Sequence, residues 1–545
     1  MAKTAQFEAA LRIVETLRAH GYEAYFAGGC VRDLLLGREP ADYDVATNAT
    51  PDIVLDMFPR TFAVGAHFGV VLVATCGGAD GASAPSTSHE TPEESSSAGF
   101  VTEVATFRSD FAYSDGRHPD GVRYTQTAEE DVKRRDFTIN GLLLDPVKAF
   151  PQGRKPAFLA EVNVRAEART LQRTGSHQGK DDLGSPLQGE EAIAGLSTAR
   201  AGENAACFAQ DDNRFLLEQP NEAARERTGL RAAVLDYVGG LADLDAGVVR
   251  AIGRPETRFK EDHLRMLRAV RFAARLGFEI EAQTTRAIRA LASKLQVVSR
   301  ERVRDEFTRM LTEGHARRAF ELLDETGLLR VVLPEIGHMK GVEQPPQYHP
   351  EGDVWVHTLM LLEQLEAGCS MTLAWGALLH DVGKPPTFRR AADRIRFDGH
   401  VEIGVAMGAE ICRRFRFSNE ETRQVLALIE NHMRFMDAQR MKESTLKRFF
   451  RLDRFDEHLA LHRMDCMASN GFLDHWNFVR ERFSSTPQEE VKPRPLITGR
   501  ELIAAGYTPG ARFREMLQAA EDAQLEGSVA TVEDAMKLVR EKFPT

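Results

Sequence analysis

Asp42 and Asp44 stand two residues apart, shortly after a Gly28-Gly29 pair. In an extended segment alternate residues share a face, so both carboxylates point the same way. Held that close they repel unless a cation sits between them. Mg²⁺, bound through carboxylates and substrate phosphates, meets that need, and a pair of such ions can activate a 3′-hydroxyl and stabilise a leaving pyrophosphate. Gly28-Gly29 supplies the other half, because backbone N–H groups without a Cβ in the way can turn toward an anion. A helix starting there adds partial positive charge. Either half alone is an ordinary turn or strand end. Their coupling within a few residues favours an enzyme.

The elements that must position these groups follow from pattern. Tyr22 to Ala27 is short, aromatic and apolar and reads as a strand, Val31 to Leu36 as a helix start, and Tyr43 to Ala46 as a second strand. Val70 to Ala74 and Phe100 to Phe107 read as paired strands around a loop at 77–99 that is rich in Ser, Thr, Glu, Gly and Pro. A second polar stretch, 151–229, is too long for a tight loop inside a compact domain and reads as a mostly disordered insertion. From Arg258 onward helical periodicity dominates. Glu261 to Leu276 reads as one helix, with Leu264, Leu267 and Val270 on an apolar face and Asp262, Arg265, Arg268 and Arg271 on a second stripe. Arginines three apart repel by a few tenths of a kcal/mol per pair, so such a stripe suits a bound anion.

At 545 residues the chain is too long for one core, and several compact units are expected. Its net charge of −11 argues against wholesale nucleic-acid coating, although arginines cluster locally at 250–275 and 300–309. Six cysteines without paired spacing suit a reducing cytoplasm. The first residues carry charges and lack an apolar signal core, and no run reaches membrane-spanning length. A cytoplasmic protein without a membrane partner is expected.

Gly28-Gly29-x-Val31-Arg32-Asp33 followed by Asp42-x-Asp44 resembles the first motif of the class II tRNA nucleotidyltransferases, the CCA-adding enzymes and their bacterial poly(A) polymerase relatives. Further motifs occur in the family's order: Glu103 to Arg108, Asp131-x-x-Arg134-Arg135-Asp136 to Asn140, Asp236 to Gly240 with Asp243, and Glu261-Asp262-x-x-Arg265. The resemblance implies that Asp42, Asp44 and Glu103 are the catalytic carboxylates, with Mg²⁺ on the Asp pair. It implies that Gly28, Gly29, Arg32 and Arg135 serve the nucleotide, and that Asp136 meets the ribose or buttresses an arginine. Asp262 and Arg265 would read the base edge of CTP or ATP, a carboxylate and a guanidinium presenting acceptors and donors in one plane. Arg268 and Arg271 would meet phosphate or RNA, and the helix from Ser299 to Leu311 is expected to be scaffold whose acids and arginines pair with each other.

A second constellation lies further on. His357, the run from Leu378 to Lys384 containing His380-Asp381, and a distant Asp465 resemble the HD superfamily, in which such residues hold metal. His400 and His432 stand where binuclear members carry extra ligands. Imidazole ligands favour Mn²⁺, Ni²⁺, Co²⁺ or Zn²⁺ over Mg²⁺, and such an ion can turn water against a phosphate ester.

The sequence therefore reads as an α+β chain: a nucleotidyltransferase head with a small mixed sheet at 1–150, a polar insertion at 151–229, and an all-helical remainder. That remainder comprises a neck at 230–340, an HD body at 345–485 and a tail at 490–545. The leading function is untemplated addition of C, A or both to the 3′ end of tRNA from CTP and ATP. The alternatives are a poly(A) polymerase and an HD metal-dependent phosphohydrolase whose head only grips RNA.

Overall fold

The computed structural model describes residues 2–62, 69–76, 99–110, 121–151 and 228–544. The expected loop at 77–99, save its last residue, and the expected insertion at 151–229, save 151, 228 and 229, lie outside these residues. The described residues divide into two compact units, one reaching to Leu241 without 110, 121 and 136–138, the other taking those residues and everything from Ala242. The chain is a mixed α/β protein with its sheet in the first unit and helices dominating the second.

In the first unit helix α1, Ala2–Ala19, leads into β1, Ala24–Ala27, and helix α2, Gly29–Leu35. Strands β2 (Val45–Thr47), β3 (Thr61–Phe62), β4 (Val70–Cys76) and β5 (Gly99–Thr106) follow, then the small pair β6 (Arg108–Asp110) and β7 (Val122–Tyr124). Strands β8 (Leu143–Leu144) and β9 (Val234–Leu235) complete a seven-stranded sheet in the order β3-β4-β5-β2-β1-β8-β9. Only β2 and β5 pair in parallel within it. The head sheet thus takes a strand from beyond 228, and its unit ends at Leu241, past the expected start of the neck at 230. The Asp236 carboxylate explains the motif that follows β9: it accepts from the backbone N–H groups of Val238, Gly240 and Leu241 and so orders the turn.

Core packing decides which side chains face outward. Tyr43 is buried with its ring edge-on to Phe7 at 5.5 Å and near Phe26 at 5.4 Å. Driving Tyr43 inward turns its neighbours Asp42 and Asp44 to the opposite side.

In the second unit, after the end of the helix Gly240–Ala246 and the short strand Val248–Val249, come helices Pro255–Glu261 and Arg265–Leu276. The stretch from Glu261 to Leu276 is therefore not one helix, as expected. Asp262 has extended backbone angles (φ −142°, ψ 109°) and ends the first helix, while its carboxylate accepts from the Leu264 N–H at the start of the second. A short polar side chain that captures a nearby backbone donor competes with helix propagation. The HD body is built from helices Val354–Leu362, Met371–Leu379, His400–Arg414, Asn419–Asn431 and Phe455–Ala468. Trp375 is fully buried there, stacked near Phe307 and tilted against Phe415. The tail helices Arg512–Leu525 and Val532–Lys542 close a core of their own around Leu502, Met516, Ala535 and Val539. No described helix is long and apolar enough to cross a membrane.

Candidate functional site

In the head the extended segment before β2 carries Asp42 and Asp44, and the Asp44 carbonyl accepts from the Ala27 N–H at 3.0 Å. The parallel register pairs Val45 with Val104. One step earlier, Asp44 comes beside Glu103, whose neighbours Thr102 and Val104 are buried on the other face of β5. The three carboxylates feel one another. Burial pushes the Asp44 carboxyl up to about 7, with the charges of Asp42 and Glu103 adding to it and Arg135 opposing. Glu103 keeps an exposed edge, yet the surrounding protein, and then Asp42, raise its carboxyl as well. Such a cluster is stabilised by a cation, and its oxygen donors suit a hard one such as Mg²⁺. Unlike the HD ligands described below, these three do not draw their oxygens within 4.8 Å of one another.

The Gly28 N–H, expected to turn toward an anion, donates to the Leu142 carbonyl at 3.1 Å. Gly28 has φ +70°, a region that favours glycine, and an added Cβ would come within 3.3 Å of the Arg135 guanidinium. Arg135 is held over this turn by the Asp131 carboxylate, at 2.9 Å from Nη2, and by the Asn140 carbonyl. Asp131, almost fully buried, also takes Nη2 of Arg134 at 2.7 Å and so clamps both arginines at once. Arg32, expected at the nucleotide, is instead 2% exposed, with Nε donating to Asp33 and Nη1 to the Asn140 side chain. It props the turn from behind. Asn140, in the Thr138–Asn140 stretch read from the sequence as ordering the turn, thus holds Arg32 and Arg135. Sequence reading gives Asp131 no role, although its i,i+3 and i,i+4 spacing to the two arginines is a usable signal.

In the second unit Asp136 buttresses an arginine, one of the two roles the resemblance implied. Its carboxylate accepts from Arg268 at 2.7 Å and caps the Phe137 N–H. Asp262 pairs with Arg302 at 2.7 Å, and Arg265 lies 2.5 Å from Glu261. Arg271 is 4% exposed and bound to Glu306 at 2.7 Å, which makes it a strut of the helix pair rather than a group presented to phosphate or RNA. The acids and arginines of helix Arg300–Thr312 thus reach back to the preceding segment, Glu306 to Arg271 and Arg302 to Asp262, rather than pairing only among themselves.

The HD residues converge. His357 projects from mid-helix, His380 and His432 cap the C-termini of their helices, His400 starts another, and Asp465 comes from Phe455–Ala468. The ligand atoms of His357, His380 and Asp465 all lie within 4.8 Å of one another, as do those of Asp381, His400 and His432. Asp381 links the two sets, with Oδ2 3.2 Å from His380 Nε2 and Oδ1 3.8 Å from His432 Nε2. Nδ1 of His380, His400 and His432 each meets a backbone carbonyl, of Ala377, Phe397 and Ile429. That fixes the tautomer with Nε2 unprotonated, and these three Nε2 atoms are buried without a hydrogen-bond partner. Orphaned imidazole nitrogens beside carboxylates fit a divalent ion, or two sharing Asp381.

Close approach is needed to bring this about. A Cβ on Gly383 would meet the His400 carbonyl oxygen at 2.0 Å, so only glycine lets the His380-Asp381 turn lie against the start of the His400 helix. Electrostatics follow the packing. Burial alone would lower the His357 pKa, but Asp465, Glu351 and Asp381 raise it to about 9, while burial takes His432 down to about 4. Burial opposes the charge of Asp381, yet His380 and Lys384 hold its carboxyl well below the usual range. Lys384 Nζ stands 2.7 Å from Asp381 and donates to Gln344. A cavity of about 660 Å³ opens onto the cluster, lined by Tyr348, His349, Met433, Met436, Phe472 and His475 among others.

Comparison with known proteins agrees with both halves. Residues 24–150 match the family described as "Poly A polymerase head domain", 277–339 "Probable RNA and SrmB- binding site of polymerase A", and 354–458 "HD domain". The chain is 33% identical over 322 residues to a "CCA-adding enzyme" of Geobacillus sp. (strain WCH70), a match covering 59% of this chain and 54% of that protein. It is 30% identical to one from Lactobacillus gasseri, over 66% of this chain and 64% of the relative. The matched region thus spans little more than half the length of the first of these relatives. Among solved structures, the Bacillus stearothermophilus CCA-adding enzyme in complex with CTP superposes with a TM-score of 0.61 at 23% identity, covering 98% of each chain, a likeness of fold. Residues 24–150 and 354–458 thus carry a poly(A) polymerase-type head domain and an HD domain, and the chain is similar over more than half its length to CCA-adding enzymes.

Proposed function

We propose that this chain is a tRNA nucleotidyltransferase that adds C, A or both to the tRNA 3′ end from CTP and ATP without a nucleic-acid template. The observation that carries the reading is the head cluster: burial, then Asp42 and Glu103, raise the Asp44 carboxyl, and burial, then Asp42, raises that of Glu103, beside a Gly28 turn overhung by Arg135. Relatives named CCA-adding enzyme support tRNA as acceptor, and the CTP complex of the superposed structure supports that nucleotide. Mg²⁺ on the Asp pair would supply charge for the attacking 3′-hydroxyl and the leaving pyrophosphate. Asp42 and Asp44 would hold that ion, Glu103 would add negative charge to the same face, and Arg135, aimed by Asp131, would neutralise phosphate over the glycine turn. Arg32 keeps that turn in shape. Asp262 and Arg265 are assigned to the base edge, and Arg268, oriented by Asp136, to phosphate or RNA. The cytoplasm is the expected setting.

The test is extension of tRNA transcripts ending in N, NC and NCC, each offered CTP or ATP alone. Stepwise addition of C and then A to the matching end supports the reading. Processive addition of A to any RNA would replace it with the poly(A) polymerase reading, and no extension of any transcript would overturn it.

The converged HD ligands favour a second reading beside the first: a metal-dependent phosphohydrolase acting on cyclic or terminal phosphate esters. His357, His380, Asp381, His400, His432 and Asp465 would hold Mn²⁺, Ni²⁺, Co²⁺ or Zn²⁺, which would activate water there. Loading the protein with each ion and assaying a 2′,3′-cyclic nucleotide tests it. Absence of both binding and hydrolysis would leave the HD body a structural one.

A further inference from the structure

Each imidazole of the HD cluster can offer Nε2 to an ion only if Nδ1 keeps its proton. For His380, His400 and His432 the backbone secures this through carbonyl oxygens at 2.9, 3.0 and 2.7 Å. His357 differs. Its Nδ1 lies 2.8 Å from Oε1 of Glu351, a side chain 4% exposed, and the same oxygen is 2.8 Å from Nδ1 of His349. The second oxygen of Glu351 is buried without a hydrogen-bond partner.

Glu351 is not placed by chance flexibility. The segment that carries it is pinned on both sides, Gln344 N–H donating to the Gly352 carbonyl at 2.9 Å and Asp353 capping the His357 helix through Trp355 and Val356 N–H. A buried carboxylate is costly unless it is used, and here its hydrogen-bonding capacity goes to the one cluster imidazole whose Nδ1 has no carbonyl partner.

We propose that Glu351 is a positioning residue for the HD metal cluster: it fixes His357 as the Nδ1–H tautomer, aims its Nε2 at the ion, and with the same oxygen holds His349 at the cavity wall. The inference rests on the metal-binding reading of the HD domain. A carboxylate behind a metal-bound histidine orients the ring and raises its basicity as a ligand, and removing such a partner weakens metal affinity about 10–100-fold. The rival assignment is a separate ion held by His349, Glu351 and His357, whose ligand atoms also lie within 4.8 Å of one another. That ion would need both Nδ1 atoms unprotonated, and would add to the number of ions bound.

The experiment titrates the full-length protein with Mn²⁺ or Ni²⁺ by calorimetry, as wild type, Glu351→Gln, Glu351→Ala and His349→Ala, alongside histidine long-range ¹H–¹⁵N spectra of the metal-free chains recorded above about pH 10, where the His357 ring is neutral. The wild type should show His357 protonated at Nδ1. Glu351→Ala should lose about 10–100-fold in affinity with the number of ions unchanged and shift His357 toward the other tautomer. Glu351→Gln, which keeps the shape and one neutral acceptor, should fall between, and His349→Ala should bind as the wild type does. Wild-type affinity in Glu351→Ala, or a wild-type His357 lacking the Nδ1 proton, would overturn the role of Glu351 alone. Loss of one whole ion in both Glu351→Ala and His349→Ala would replace it with the separate-ion assignment. A wild type that takes up no ion would instead overturn the metal reading beneath it. Should Glu351→Ala misfold, the isosteric Gln variant and the wild-type tautomer still decide.

Discussion

Mg²⁺ uptake by the head should be coupled to proton release, with Asp44 as the source. Burial first, then Asp42 and Glu103, place its carboxyl at about 7 in the metal-free chain. An ion bound through Asp44 needs the charged form, so the proton must leave. With a pKa of about 7, uptake releases about 0.9 proton at pH 6 and about 0.1 at pH 8, and apparent affinity is about tenfold weaker at the lower pH. The same shift acts on stability with the opposite sign of an ordinary salt-bridged acid. The folded value lies above the unfolded one of about 3.8, so the native state holds the extra proton between pH 4 and 7. Stability of the metal-free chain is therefore lost as pH rises through that window. The upper bound is about 4 kcal/mol for a difference of about 3 pH units, discounted to about 2–4 because Asp44 keeps some solvent contact.

The assay is Mg²⁺ calorimetry in buffers of differing ionisation enthalpy at pH 6, 7 and 8. Asp44→Asn serves as the blank for any uptake by the HD cluster, whose imidazoles favour transition ions. Denaturation in chelator at pH 5 and 8 gives the stability arm, where Asp44→Asn should remove the loss seen in the wild type. Release below about 0.2 proton at pH 6, or equal affinity at pH 6 and 8, would refute the argument.

Asp42→Ala is expected to abolish extension of a tRNA ending in NC while leaving the circular dichroism spectrum unchanged. Asp131→Asn should weaken incorporation by raising the apparent nucleotide KM, read in the same extension assay, because both Arg134 and Arg135 lose their common anchor. Arg271→Ala leaves the buried Glu306 carboxylate only the longer pairing with Arg268 at 4.0 Å and should cost about 3 kcal/mol in denaturant titration. Gly383→Ala drives a Cβ into the His400 carbonyl and should cost at least about 2 kcal/mol and impair transition-metal uptake, measured by thermal unfolding and calorimetry.

What could be read from the chain was whatever depends on local spacing. Asp42 and Asp44 share a face because alternation is a property of extended backbone, and Gly28 takes φ +70° because that turn requires it. Ligand types in order likewise pointed to the HD cluster that forms. What could not be read depends on which distant partner arrives first. Arg271 and Arg268 stand one helical turn apart on the same stripe, yet one is buried against Glu306 while the other meets Asp136 with part of its side chain exposed. The break at Asp262 was hidden because its cause is a side-chain hydrogen bond to Leu264 N–H, which three-residue periodicity does not encode. Glu351 had no signal at all, since its value lies in one contact to a histidine held in place by the rest of the HD body.

The two metal assignments differ in how much is prepared before an ion arrives. In the HD body tautomers are set by carbonyls at Ala377, Phe397 and Ile429, the ligand atoms already lie within 4.8 Å in each set, and Asp381 is held ionised. Such a site needs little rearrangement to bind, and so suits a resident ion. In the head the carboxylates oppose one another's charge, and Asp44 half keeps a proton near neutrality. A cation there gains most when triphosphate oxygens complete its shell and Arg135 compensates the added negative charge. On the proposed reading the head would hold its metal most tightly together with the nucleotide, whereas the HD ion would stay between turnovers. Equilibrium dialysis of the intact chain would separate the two: Mn²⁺ retained without nucleotide and insensitive to Asp42→Ala, Mg²⁺ held weakly alone, much more tightly with CTP or ATP, and in both cases abolished by that substitution. Equal retention of Mg²⁺ with and without nucleotide would contradict this division.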